Sequence, residues 1–387
     1  MNIDINKNQI SANIADLLWY WFVNIKTVGL NTREKLLSFF GNPLAVYQAG
    51  EKDLSLILEE KQMKSFLRSR NLDSVREDME RLAKTNTRFI HWESPDYPAR
   101  LRHLPDPPYG LYLRGCLPDP NRPCLAMIGS RKATPYGRRI AEQFAFSLAG
   151  YGIQIISGLA EGIDSCSHRG ALQGNGYTLG VLGGGIDSMY PRENFNLYMS
   201  MYERGGVLSE WNLGVPNHSG LFPLRNRLIS GLSDAVFVLE AGKRSGTFIT
   251  VDQALEQGRT VFALPGRVTD VNSMGTNQLI CDGAIPVSCP EDIVEYLVSG
   301  GFSLVRFSTD DSETDARSGG NNMSMTIEEQ KVYNLIDEKD PIDYDGLLAA
   351  SGYEMGKLSH LLFQLESSGN IYQPNQNVYL RSLTPVT

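Results

Sequence analysis

Several signatures that would assign this chain a chemistry outright are missing. No GxGxxG follows the first apolar run of its central region, and no GxxxxGK[ST] occurs anywhere. That excludes the usual hardware of dinucleotide redox chemistry and of P-loop hydrolysis. The five cysteines (Cys116, Cys124, Cys166, Cys281 and Cys289) form no CxxC pair and share no metal-ligand spacing with the five histidines. They read as reduced thiols of a cytoplasmic protein, and neither a metal nor a cofactor is called for. No apolar run approaches the length that spans a bilayer, and MNIDINKNQISANIADLL lacks the basic and apolar regions of a secretory signal. An excess of positive charge is missing too, the formal net charge being −8. Nucleic acid is usually bound by a basic field, but the total hides its distribution. MIGSRKATPYGRRI (127–140) carries Arg131, Lys132, Arg138 and Arg139 with no acid, whereas acids gather in TDDSETD (309–315) and near the C-terminal end.

What is present is enough for two or three domains, since 387 residues exceed one ordinary core. Residues 1–85 read as short helices punctuated by Gly29, Gly41, Pro43 and Gly50. Residues 86–123, crowded with prolines and aromatics, read as an extended connector packed on the domain that follows. From 124 to 300, apolar runs (CLAMIGS, IQIISG, YTLGVLGGG, VLSEW, AVFVLEA, TVFALPG, AIPVS) alternate with helical stretches. Continuous apolar strands separated by helices imply an α/β fold, a Rossmann-like doubly wound parallel sheet covered on both faces. Residues 301–325 are polar and acidic, as in a flexible linker. Residues 326–387 give three helices and a β-hairpin, the order of a winged helix.

In such sheets ligands sit at the carboxyl ends of the strands. Those ends here are rich in glycine and small polar residues: Gly129-Ser130-Arg131, the turn from Ser157 and Gly158 to Asp164, Gly183-Gly184-Gly185, Ser245-Gly246-Thr247 and Pro265-Gly266. Glycine lets backbone N–H groups approach an anion closely. The catalytic candidates near this edge, Glu161, Asp164, His168 and Glu210, have no spacing that assigns acid and base roles. Helix capping for Asp164 and Ser245, strand-end hydrogen bonding for Glu210 and a helix-surface position for His168 outweigh catalysis. Arg131, Arg225, Arg227, Lys243 and Arg244 fall on the same edge. Several arginine forks with Phe222 as a stacking surface suit a single nucleic-acid strand, although Phe222 as a core anchor and Arg227 in an internal salt bridge are open alternatives.

These motifs together resemble the DNA-processing protein A (DprA/Smf) family. The residues that carry the likeness are YPARLRHLPDPPYGLYLRG, IGSR, SGLAEGID, LGGGIDSMYPRENFNL, GVLSEW, FPLRNRLISGLS, SGTFITVDQALEQGRTVFALPG and GTNQLICDGA, in the family's order over about 95–285. The resemblance implies a helical N-terminal domain like a sterile-alpha-motif fold, and a non-enzymatic protein that binds single-stranded DNA. It further implies loading of RecA recombinase during natural transformation, displacement of single-strand-binding protein, and homodimerisation through the Rossmann-like domain. Carried over by motif, Arg131 grips phosphate and Phe222 contacts a base. Arg225, Asn226 and Arg227 line the same site, Ser245, Gly246 and Thr247 donate backbone N–H groups, and Asn277 is a further member. Many members have a lysine just before FPxRN. This chain reads VPNHSGLFP there, which leaves His218 as a partial substitute or a lower affinity.

Two other readings compete. The glycine-rich edge also resembles the LOG-type nucleotide phosphoribohydrolases, but AGKRSGTFITVDQ lacks their glutamate after the threonine. A ligand-sensing transcription regulator would use the winged helix to read duplex DNA. Acids outnumber bases in 326–387, and its recognition helix, EMGKLSHLLFQLESSG, is nearly neutral. A protein-contact or autoregulatory role suits that domain better.

Overall fold

The computed structural model describes residues 7–304, 326–337, 341–367, 370–375 and 377–381. Most of the expected linker, 305–325, lies outside the described residues. The chain divides into two compact units, Met1–Thr309 and Asp310–Thr387. Among the described residues no helix is long and apolar enough to cross a membrane.

The first unit opens with six helices: α1 (Lys7–Val23), α2 (Leu30–Phe40), α3 (Pro43–Gln48), α4 (Glu51–Leu54), α5 (Glu60–Ser69) and α6 (Leu72–Ala83). Asn42 and Asn71 cap α3 and α6 through their side-chain oxygens, which explains where those helices begin. α1 has no polar face over its second half, because Leu17 to Phe22 are all buried. Trp21 turns toward α5, its indole N–H donating to Ser69 Oγ at 3.0 Å, while Trp19 reaches Glu93 at 2.8 Å.

The proline-rich segment does more than wrap its neighbour. It supplies β1 (Arg88–His91) and β2 (Gly110–Gly115), which pair antiparallel and extend the main sheet. The remaining strands are β3 (Cys124–Ile128), β4 (Gln154–Ser157), β5 (Thr178–Gly185), β6 (Gly206–Trp211), β7 (Ala235–Val238), β8 (Thr260–Ala263) and β9 (Ile285–Pro286). Between them run α7 (Pro135–Gly150), α8 (Ile163–Gln173), α9 (Phe195–Arg204), α10 (Leu221–Leu232), α11 (Thr247–Glu256) and α12 (Met274–Cys281), and α13 (Pro290–Ser299) follows β9. The sheet order is β1-β2-β6-β5-β4-β3-β7-β8-β9, with β6 to β9 mutually parallel. β3, β4, β5 and β7 are buried along their whole length, which is why each reads as an unbroken apolar run. The chain winds outward from β3 to β6, then returns to β7 beside β3. That reversal places the topological switch point between the loops after β3 and β7.

α8 lies inside this layer rather than on the surface, and His168, expected at a helix surface, is fully buried. Thr178 Oγ1 donates to the Ile155 carbonyl, so the 2.6 Å contact between His168 Nδ1 and that hydroxyl makes Nδ1 the donor. Burial, reinforced by the cations Arg169 and Arg225, lowers the imidazole pKa from 6.5 to about 3. The unfolded chain therefore takes up a proton below pH 6.5 that the folded chain refuses. Stability falls by about 1.4 kcal/mol per pH unit from this group as pH drops from 6.5 toward 3. Urea midpoints measured between pH 7 and pH 4 are expected to decline less steeply in His168→Gln than in the parent. Parallel curves would remove His168 as a cause.

The second unit contains α14 (Ile327–Leu335), β10 (Ile342–Asp343), α15 (Tyr344–Ser351), α16 (Met355–Ser367), β11 (Ile371–Asn375) and β12 (Val378–Arg381). Its sheet order, β10-β12-β11, adds a short strand to the expected helices and hairpin of a winged helix. Val332, Leu347, Leu358, Leu362 and Ile371 form its own core.

Candidate nucleic-acid interface

The position at which nucleotide-binding sheets hold a phosphate, the N-terminus of the first helix at the switch point, is already occupied by a carboxylate. Glu240, just past β7, is buried and accepts hydrogen bonds from Thr134 N (3.0 Å), Thr134 Oγ1 (2.5 Å) and Asn272 Nδ2 (3.1 Å). A Cβ on Gly137 would stand 2.3 Å from the Glu240 carboxyl carbon, so that glycine makes room for an internal anion. Ser130 N donates to the Glu240 carbonyl at 2.8 Å, and Asn272 Nδ2 also reaches the Lys132 carbonyl at 2.9 Å. The loop that carries Arg131 and Lys132 is thereby tied down from two sides. Spacing in the sequence did not mark Glu240; the available signal was a charged residue closing an otherwise apolar strand.

An open cleft lies one step along the edge, at the ends of β4 and β5. It has a volume of about 70 Å³ and is lined by Arg131, Gly158, Glu161, Gly183, Phe222 and Arg225, with Tyr190 and Asn217 at its side. Phe222, at the start of α10, packs on Gly183, where an added Cβ would lie 2.8 Å from its ring. The exposed Arg131 guanidinium lies over the same ring, 4.9 Å from its centroid. Arg225 is buried beneath, donating to the carbonyls of Gly158 (2.7 Å) and Val181 and to Asn226 Oδ1 (3.0 Å). Gly158 makes room for this guanidinium, since a Cβ there would sit 2.4 Å from Arg225 Nη1 and displace it. Asp164 accepts the Gly158 N–H at 3.1 Å and faces Arg225. Burial raises the Asp164 pKa and lowers that of Arg225, and each partner's charge opposes the other's shift. Arg225 thus ties β4 to β5 and, with Asp164 as its charge partner, forms the floor of the cleft.

The other sequence candidates take separate places. Arg227 turns inward: its guanidinium meets Glu210 at 2.7 and 2.9 Å and Asp106 at 2.9 Å. The internal ion pair that the sequence left open for Arg227 is formed, and Glu210 serves it rather than a strand-end hydrogen bond. Lys243 and Arg244 project into solvent after β7. Ser245 Oγ accepts the Thr247 N–H at 3.2 Å, so the first N–H of α11 is engaged within the turn, and Gly246, its N-cap, is open. Asn277 spends both ends of its amide on Gly266, at 3.1 and 3.0 Å. Gly129 packs against Ile163 and the Glu240 carbonyl. The structure therefore brings Arg131, Gly158, Phe222 and Arg225 together, places Lys243 and Arg244 farther along the same edge, and directs Arg227 and Asn277 elsewhere. Tyr190 and Asn217 escaped the sequence reading because they sit on irregular loops with no periodicity.

The model of the DNA recombination-mediator protein A family matches residues 88–298, more than half of the chain. The chain belongs to that family. Protein Smf of Escherichia coli is 45% identical over 220 residues, covering 57% of this chain and 59% of that protein's length. The X-ray structure of DNA processing protein A from Streptococcus pneumoniae superposes with a TM-score of 0.64 at 30% identity, over 72% of this chain and 97% of that one. A structure of DNA processing protein A from Helicobacter pylori, which describes its single-stranded DNA binding mode, gives a TM-score of 0.51 at 28% identity, over 55% of this chain and 96% of that one. The matched span of this family member includes the cleft, the Glu240 anchor and the Arg227 ion pair.

Proposed function

We propose that the chain binds single-stranded DNA, without bond chemistry of its own, along the carboxyl edge of its main sheet. The observation that carries this reading is the cleft in which Arg131 and Phe222 lie against the Arg225 floor. A cation free to meet phosphate stands there beside an aromatic ring, which is the combination a single strand requires. Lys132, Lys243 and Arg244 extend the positive charge along the edge. Glu240 fills the phosphate position that a nucleotide enzyme would keep open, which argues against the phosphoribohydrolase reading. Backbone contact comes from Arg131 and the Gly246 turn, and base contact from Phe222 once Arg131 moves to phosphate.

Following the resemblance, the bound strand is handed to RecA recombinase in place of single-strand-binding protein, by a homodimer formed through the Rossmann-like domain. The winged helix serves protein contact or autoregulation: α16 exposes Met355 and Phe363, and its Lys357 is paired with Glu328. Fluorescence anisotropy with labelled oligonucleotides tests the binding step. Single strands are expected to bind more tightly than duplex of the same length, with log K falling linearly in log salt. Equal affinity for both, or no salt dependence, rules the reading out. Sedimentation at micromolar concentration checks the dimer, and filament assembly on a protein-coated strand checks the loading step.

A further inference from the structure

The cleft does not end at Phe222. Ser188 lines both it and an adjoining groove of about 570 Å³, whose other walls are Asp187, Met189, Arg192 and Phe195. Tyr190, on the wall of the first cleft, has 57% of its surface exposed, and Phe195, on the wall of the groove, is 52% exposed. Two large aromatic rings held in solvent next to a cationic cleft call for an occupant.

The exposure is built in rather than incidental. The Tyr190 main chain is held at both ends by the buried Tyr198, whose hydroxyl accepts Tyr190 N–H at 3.3 Å and donates to its carbonyl at 3.1 Å. Pro191 is buried behind it. Asn194 is buried as well and donates to the Leu159 carbonyl at 3.2 Å, fixing the loop to the turn that carries Gly158. The ring of Tyr190 has therefore been left outside while everything around it is anchored. Arg192 is exposed on the groove wall, and the acid in the groove, Asp187, is engaged with Gly214 N–H at 2.9 and 3.1 Å.

We propose that this groove carries the DNA strand onward from the cleft, with Tyr190 and Phe195 as successive base platforms and Arg192 as the phosphate contact between them. The proposal rests on the single-strand reading of the cleft. Stacking on an aromatic ring tolerates any base, so the groove adds length and affinity without sequence preference.

The test uses the full chain and a series of labelled oligothymidylates of increasing length. Parent affinity is expected to rise with length until the groove is filled. Phe195→Ala is expected to lose the later part of that rise, weakening long oligonucleotides roughly 5- to 100-fold while leaving the shortest ones that bind unchanged, whereas Tyr190→Ala, on the wall of the first cleft, is expected to weaken short and long strands alike. Tyr190→Phe, which keeps the ring, is expected to behave as the parent. Unchanged length dependence in Phe195→Ala overturns the proposal, as does an equal loss at every length in that variant, and Tyr190→Ala binding as the parent overturns it too. Arg131→Ala is the separating control. If it too binds as the parent, the cleft reading has failed; if it alone fails to bind, only the onward path is wrong.

Discussion

Arg131→Ala is expected to weaken single-strand binding by about 10- to 100-fold, the value of a charge-assisted hydrogen bond. The plot of log K against log salt should flatten by roughly 0.7, since one fewer phosphate is neutralised on a single strand. The structure explains why so much is asked of one side chain. Arg225 is locked under the strand ends and Arg227 is ion-paired, so of Arg131, Arg225 and Arg227 only Arg131 is exposed. Arg131→Lys is expected to keep the salt slope and lose part of the affinity, because an ammonium has neither the fork nor the planar contact with Phe222. Titrations at several fixed salt concentrations check both variants. Unchanged affinity and slope in Arg131→Ala would remove the site.

Glu210→Ala should act on stability instead. The Arg227 side chain is 4% exposed and that of Glu210 9%, with Asp106, 47% exposed, as the outer partner. Burial raises the Glu210 pKa, and Arg227 is the main influence opposing that shift. Removing Glu210 leaves buried Arg227 with only the half-exposed Asp106, a loss that approaches that of a broken buried pair, about 3–5 kcal/mol. A thermal melt is expected to move down by roughly 5–15 °C. Below the melt, oligonucleotide affinity should match the parent, since Arg227 faces the protein. Lost affinity with an unchanged melt would instead assign Arg227 to the DNA.

The central α/β sheet was legible because parallel strands buried on both faces cannot alternate polar and apolar residues. CLAMI, QIIS and AVFV declare themselves as strands for that reason. β1 and β2 were not legible: they pair antiparallel at the sheet edge, and the prolines around them mask a strand pattern that only the partner strand enforces. His168 was misplaced because α8 is covered on both sides, and no single helix period reveals a second covering layer. At the candidate site, the order of motifs assembled Arg131, Phe222 and Arg225 on one edge, while their division of labour stayed hidden. Adjacent arginines two residues apart on α10 look equivalent in sequence, yet one points under β4 and β5 and the other toward Glu210.

By itself, then, the sequence determined the sheet, the family, and the unusual supply of cations at the carboxyl edge of the sheet. Those follow from local patterning and from motifs whose order survives without coordinates. Only the tertiary structure decided which glycines make room for Arg225, Phe222 and Glu240. It also decided which arginine is left free. Both outcomes depend on contacts between residues tens of positions apart, where a partner's charge and volume, rather than a residue's own type, set what each side chain can do.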